Sequence, residues 1–432
     1  MSFARLLRAS ASGLVFALFA AVGGAHAGKL GVLHAFSGMP DGEQPRGNLV
    51  EDGAGNLYGT TIVGGRKGCP DNPGCGTVFK IAPDGTESVL FAFDGKARGG
   101  LPYAGLIADS AGNLYGTTSS GGDPSCDDKY GCGAVFKLAP DGTETIIHAF
   151  EWSADGAFPM APLTADGNGN LFGTTTYGGL TPKYCNGVYA CGTVFKIAAD
   201  GTETVLHRFT GAYTGTGDGA FPSARLWIDA AGDIYCTTTQ GGANCDNGGC
   251  GTLFEIPAGG QEKVLYSFCS QANCADGSQP FAGVIADSVG NLYGTTTYGG
   301  NEFCPEGCGI LFELTADGSY KVLHTFTDVD FGGADGAYPD GDLTADASGN
   351  LYGTTYAGGD HGCGGGGCGS VFELGRDGTL SVLYGFDRKP RGQFPKGGLL
   401  LDSAGHFFGT TAAGGAPCKE RAGCGIVFEF TR

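Results

Sequence analysis

Apolar phrases of about five residues alternate along this chain with clusters of Gly, Asn, Asp and Pro, and no stretch keeps a helical period. Four kinds of phrase follow one another in a fixed order. A VLHxF-like phrase stands at 32–36, 89–93, 146–150, 205–209, 264–268, 322–326 and 382–386. A GLxxD-like run comes next, as at 105–109 and 283–287, and then an LYGTT phrase. The fourth is GTVFKI-like, as at 76–81 and 192–197. All are rich in β-branched and aromatic residues, which predicts short strands and an all-β chain.

The LYGTT phrase shows the repeat most clearly. It reads GNLYGTT at 55–61, 112–118, 290–296 and 349–355, with variants at 169–175, 232–238 and 405–411. Seven copies at a spacing of 56 to 63 residues, each with four strands, predict a seven-bladed β-propeller, the radial arrangement that hides sheet edges. A β-sandwich array needs about 100 residues per unit and does not suit this period. The GLxxD and LYGTT phrases should be the inner strands, with VLHxF outermost. The chain starts with a lone VLHxF strand and ends on GIVFEF, so the first strand should complete the last blade. One propeller domain over 28–432 follows.

The first residues lie outside that pattern. Arg5 and Arg8 precede an apolar run from 14 to 22, and Ala25-His26-Ala27 has the small-x-small form of a cleavage site. Residues 1–27 are therefore expected to be a signal peptide, and the run is too short to span a bilayer, which takes about 20 residues. The mature chain loses two arginines and no acid, so its formal net charge falls from −19 to −21. Such acidity speaks against nucleic acid or anionic membrane as a partner and suits a soluble exported monomer. Glycine is abundant, at 84 of 432 residues, but has no triplet period and recurs at fixed turn positions.

Tight DxxGN and PDGT turns should share one face of the propeller, and two longer connections the other. Functional residues tend to lie on long loops over a rigid scaffold. One long connection carries a cysteine pair in every repeat: Cys69/Cys75, Cys126/Cys132, Cys185/Cys191, Cys245/Cys250, Cys304/Cys308, Cys363/Cys368 and Cys418/Cys424. In an exported chain these read as local disulfides. The spacing varies and no His recurs beside the pairs, which speaks against zinc. Cys269 and Cys274 form an eighth candidate pair, and Cys236 is left over as a buried thiol.

The other long connection carries D-G-x-x-P. Its acid is Asp41, Asp155, Asp218, Asp276 or Asp335 in five repeats, but Arg98 and Arg391 replace it in two. With Lys96, Arg388, Lys389, Lys396 and Arg46 in the same sector, these arginines form either a basic site for an anionic group or a tolerant surface loop. The residue after the proline varies most: Arg46, Tyr103, Met160, Ser223, Phe281, Asp340 and Lys396. It should lie at the mouth of the central channel, as a binding rim or as free solvent positions. Arg46, Arg98, Tyr103, Phe281, Asp340, Arg391 and Lys396 are thus the candidate binding residues.

No catalytic or metal constellation stands out, and no cofactor is expected. The recurrent Asp52, Asp109, Asp166, Asp229, Asp287, Asp346 and Asp402 should each cap a turn. His34, His148, His207 and His324 share one outer-strand position and read as structural, while His361 and His406 are isolated. The run CGGGGCG at 363–369 lacks the strand-to-helix context of a phosphate loop.

The phrases GNLYGTT, GTVFKIAPDGTESVLFAF (76–93) and DGAFPMAPL (155–163) resemble the GloVer tandem-repeat proteins, often labelled choice-of-anchor repeat proteins. The resemblance spans nearly all of 30–432 and implies an exported repeat protein of undefined activity, with no catalytic residues to carry over. Members often carry a C-terminal anchor, whereas this chain stops at Phe430-Thr431-Arg432 after a strand, which favours a free form in the periplasm or medium. The expected function is a non-enzymatic binding or scaffold propeller for carbohydrate or a surface protein. The alternative is a propeller hydrolase or lyase acting on polysaccharide.

Overall fold

A computed structural model describes residues 28–432 apart from 68, 70–73, 124–125, 127–129, 181–190, 212–216, 243–248, 302–303, 305, 328–334, 360–362, 364–365, 388–389 and 419–422. The predicted leader, Cys185, Cys245, His361, Arg388 and Lys389 lie outside the described residues. Seven antiparallel sheets form seven blades, and consecutive strands run outward within each blade. The last blade is completed by Lys29–Ala35, which pairs with Ile426–Thr431. Its partner strand would otherwise be an open edge.

The innermost strands are shorter than expected, only two residues each, as in Ile107–Ala108. Crowding at the ring axis explains this. A Cβ on Gly105 would lie 2.3 Å from the Asn48 carbonyl oxygen, and one on Gly47 would lie 2.2 Å from the Gly105 nitrogen. Neighbouring backbones thus touch around the axis, and pairing within the blade begins only beyond that contact.

Each position of the LYGTT phrase has its own packing task. The leucine is buried, and the tyrosine hydroxyl donates to the turn aspartate, as from Tyr58 to Asp52 at 2.9 Å. At the glycine, a side chain would strike the phenylalanine of the third strand: the Gly116 Cβ would stand 2.7 Å from Phe136 Cζ. The fourth blade carries buried Cys236 in this slot. The first threonine donates to a carbonyl of the next blade, as Thr60 does to Ala104 at 2.7 Å. The second meets a hydroxyl of its own blade, as Thr61 meets Thr77 at 2.8 Å.

Between blades, each outer-strand phenylalanine packs edge-to-face on the third-strand phenylalanine of the next blade. Phe36–Phe79, Phe93–Phe136 and Phe386–Phe428 have ring centroids 5.1, 5.2 and 5.4 Å apart. These outer phenylalanines are fully buried, and such contacts are among the strongest apolar terms a seam can have. Among the described residues, no helix is long and apolar enough to cross a membrane.

Candidate functional site

The D-G-x-x-P segments tie neighbouring blades together before they present any side chain to the channel. The residue before each proline is left-handed: Gln44, Leu101, Phe158, Phe221, Gln279, Tyr338 and Phe394 have φ between 50° and 61°. That backbone is uncommon for bulky residues and needs a fixed partner. The partner is the carbonyl of the second cysteine in the adjoining loop. Leu101 N–H donates to Cys75 at 2.8 Å, Phe158 to Cys132 at 2.8 Å, and Gln44 to Cys424 at 2.8 Å.

Among the described residues, six disulfides have both cysteines in place: Cys69–Cys75, Cys126–Cys132, Cys269–Cys274, Cys304–Cys308, Cys363–Cys368 and Cys418–Cys424. Cys191 and Cys250 are disulfide-bonded too. The cystine loops therefore hold the struts of the rim, and they fit an oxidising, extracytoplasmic setting. Cys236 is a free, buried thiol whose burial raises its pKa.

Beyond the prolines, the seven variable residues converge. Arg46, Tyr103, Met160, Ser223, Phe281, Asp340 and Lys396 line one cavity of about 550 Å³ at the channel mouth. Chain order is ring order, so the mouth has two arcs. One runs uncharged from Tyr103 to Phe281; the other is charged, from Asp340 through Lys396 to Arg46. Lys396 lies 3.3 Å from the Asp340 carboxylate and over the Tyr356 ring, and Asp340 also accepts from Thr297 at 2.8 Å. Arg46 donates to Gln44 at 3.3 Å, and its Nε has no partner.

Tyr177, Phe221, Thr239 and Gln240 extend the uncharged wall and were missed in the sequence. Tyr177 and Gln240 occupy a second variable position, just after the LYGTT strand. Variation at that column, set against the constant strand before it, was the available signal.

Arg98 and Arg391 do not line this cavity. Arg98 lies 3.9 Å from Glu144 and over the Phe91 ring. Arg391 meets the Tyr384 hydroxyl, which with nearby Asp387 raises its pKa. Both stand near the outer strands, where the other repeats place an aspartate against a histidine or tyrosine. His148 meets Asp155 at 2.7 Å, His324 meets Asp335 at 2.6 Å, and Tyr266 donates to Asp276 at 2.7 Å. Opposite Arg98 the outer strand carries Phe91, and opposite Arg391 it carries Tyr384, so neither arginine faces a histidine.

The repeated aspartates cap their turns. Asp52 accepts from the backbone of Ala54 and Asn56, each at 2.9 Å. Burial alone would raise its pKa, but hydrogen bonds from Asn56, Tyr58 and Ala54 bring it down to about 2. Each carboxylate that caps in this way is committed to its own turn.

With the site described, three comparisons bear on the chain. The model of the Gloeobacter/Verrucomicrobia repeat matches residues 7–184 and 129–365. No curated protein matches the sequence. Among solved structures, a gluconolactonase of Xanthomonas campestris is 15% identical with a TM-score of 0.42, covering 76% of this chain and 86% of its own. The extracellular domain of a provisionally named one-component system of B. thetaiotaomicron is 10% identical with a TM-score of 0.51. That match covers 94% of this chain and 40% of the other, and is a likeness of fold alone.

Proposed function

The chain belongs to the Gloeobacter/Verrucomicrobia repeat family, and from that membership we propose an exported, non-enzymatic binding propeller that takes carbohydrate at the channel mouth. The observation that carries this reading is the two-arc cavity. Tyr103, Tyr177, Phe221 and Phe281 offer ring faces and edges for the apolar side of a sugar. Across from them, Arg46, Asp340 and Lys396 offer donors and an acceptor for its hydroxyls. Phe281 is 42% exposed, more than a core aromatic would be. Arg46 and Lys396 give the charged arc its positive charge, which favours glycans that carry a carboxylate or sulfate.

A glycan array on the mature chain tests the proposal, with Phe281→Ala and Arg46→Ala alongside. Each substitution should weaken binding to a hit about tenfold, equivalent to ~1.4 kcal/mol. Hits that survive both changes would remove the mouth from the argument. Steady release of reducing ends from the bound glycan, lost in Asp340→Asn, would make the protein a hydrolase or lyase instead.

A further inference from the structure

The seams between blades carry a second kind of repeated side-chain group, away from the channel. At three seams a histidine and an aspartate of one repeat act on a glutamate at or just before the start of the next blade's outer strand. These trios are His34/Asp41/Glu87, His148/Asp155/Glu203 and His207/Asp218/Glu262. Oε1 of Glu87, Glu203 and Glu262 is shut off from water without a hydrogen-bond partner. Around Glu203, Asp155 adds negative charge while His148 and Arg208 oppose it. A second carboxylate has thus been placed where it lacks a matching donor, against the usual pairing of buried acids.

The remaining seams show how the same chain treats that glutamate elsewhere. Between the first and second blades, Arg98 stands 3.9 Å from Glu144, while Phe91 occupies the histidine position. There the protein itself places a cation near the carboxylate, although Glu144 Oε1 too has no hydrogen-bond partner. Beyond the fifth blade, His324 and Asp335 close on each other at 2.6 Å, and Leu380 replaces the glutamate. The His148–Asp155 pair is closed in the same way, at 2.7 Å, but Glu203 stands beside it as a second carboxylate, with Arg208 also acting on it.

We propose that His148, Asp155 and Glu203 bind a divalent transition-metal ion of the zinc class at the seam of the second and third blades. One ligand atom from each lies within 4.8 Å of the others, so all three can reach one ion. One imidazole nitrogen and two carboxylate oxygens suit zinc or a neighbouring first-row ion better than magnesium or calcium, which prefer oxygen alone. A divalent ion also balances both carboxylates. The Glu151 N–H donates to the other Asp155 oxygen at 2.7 Å and orients the carboxylate, as outer-shell partners of metal ligands do. The β-bulge between Ile146 and His148 brings the imidazole to this seam.

Zinc chloride titrated into the chelator-stripped mature chain by calorimetry tests the site, with melting curves measured in parallel. The wild type should bind one more equivalent than Glu203→Gln, and zinc should raise its Tm by several degrees while leaving that of Glu203→Gln less affected. His148→Phe, which copies Phe91 of the adjoining blade, is the second arm should the glutamine variant fold poorly. The same number of zinc equivalents in wild type and the folded variant, or none in the wild type, would overturn the proposal.

Discussion

Two rings of residues lie within a few positions of each other in every repeat and behave in opposite ways. The first threonine of LYGTT does one thing at six of the seven blades, crossing the seam to a carbonyl of the next: Thr60, Thr117, Thr237, Thr295, Thr354 and Thr410 all do so. The residues after the prolines do nothing in common beyond their position. They are arginine, tyrosine, methionine, serine, phenylalanine, aspartate and lysine around one mouth. Seam residues are chosen by contacts repeated around the ring, and rim residues by whatever the mouth meets. Recurrence in this chain therefore marks structure, and irregularity on a regular frame marks the place to look for function.

The contrast can be attacked first where the seam is most exposed to failure. Deleting residues 28–37 removes the strand that closes the last blade and should lower Tm by ten degrees or more; a shift of a degree or two would show that closure contributes little. Gly116→Val should cost about 3 kcal/mol, because Phe136 and Leu106 leave no room for a side chain. Urea unfolding with an unchanged m-value would measure it.

Smaller effects sharpen the comparison. Thr60→Val leaves the buried Ala104 carbonyl short of a donor and should cost about 1–2 kcal/mol. Thr174→Val should be close to neutral, since that hydroxyl has no partner. Equal costs for the two would break the account of the threonine ring.

Glu262 tests the seam by pH. Burial raises its pKa to about 7, with His207 opposing and Asp218 adding to the shift. The folded state then holds a proton that the unfolded state releases from about pH 4.5, so its contribution is complete below that pH and is lost as pH rises through about 7. Glu262→Gln should flatten this decline and, allowing for solvent screening, be the more stable by about 1 kcal/mol at pH 8. Melting curves from pH 4 to 8 would check the sign. Least of all, Met160→Ala at the rim should change stability by under about 0.5 kcal/mol.

Much of the fold was legible because one unit is written seven times, so strand type, blade number and ring closure follow from period and order. Cysteine pairing was legible for the same reason. The variable rim could be placed at the mouth because it follows a proline at the start of each inner strand. The seam trios were not read, since Glu203 lies 55 residues beyond His148 and belongs to the next repeat. Taken alone, the column holding Arg98 and Arg391 is compatible with a basic site for an anionic group or with a tolerant surface loop. Set against the outer-strand column, the arginines coincide with Phe91 and Tyr384, and that paired change points to a seam contact.

The left-handed residues ahead of the prolines have a consequence for engineering. Each rim side chain rides on backbone fastened two residues upstream, through an N–H held by a cystine loop, so its own identity plays no part in the fastening. The mouth is in effect a set of seven sockets, and a socket can be refitted without disturbing its neighbours. A library randomised at positions 46, 103, 160, 223, 281, 340 and 396, with the paired Asp340 and Lys396 varied together, would explore new specificities on an unchanged ring of blades, much as loop libraries do on antibody frameworks.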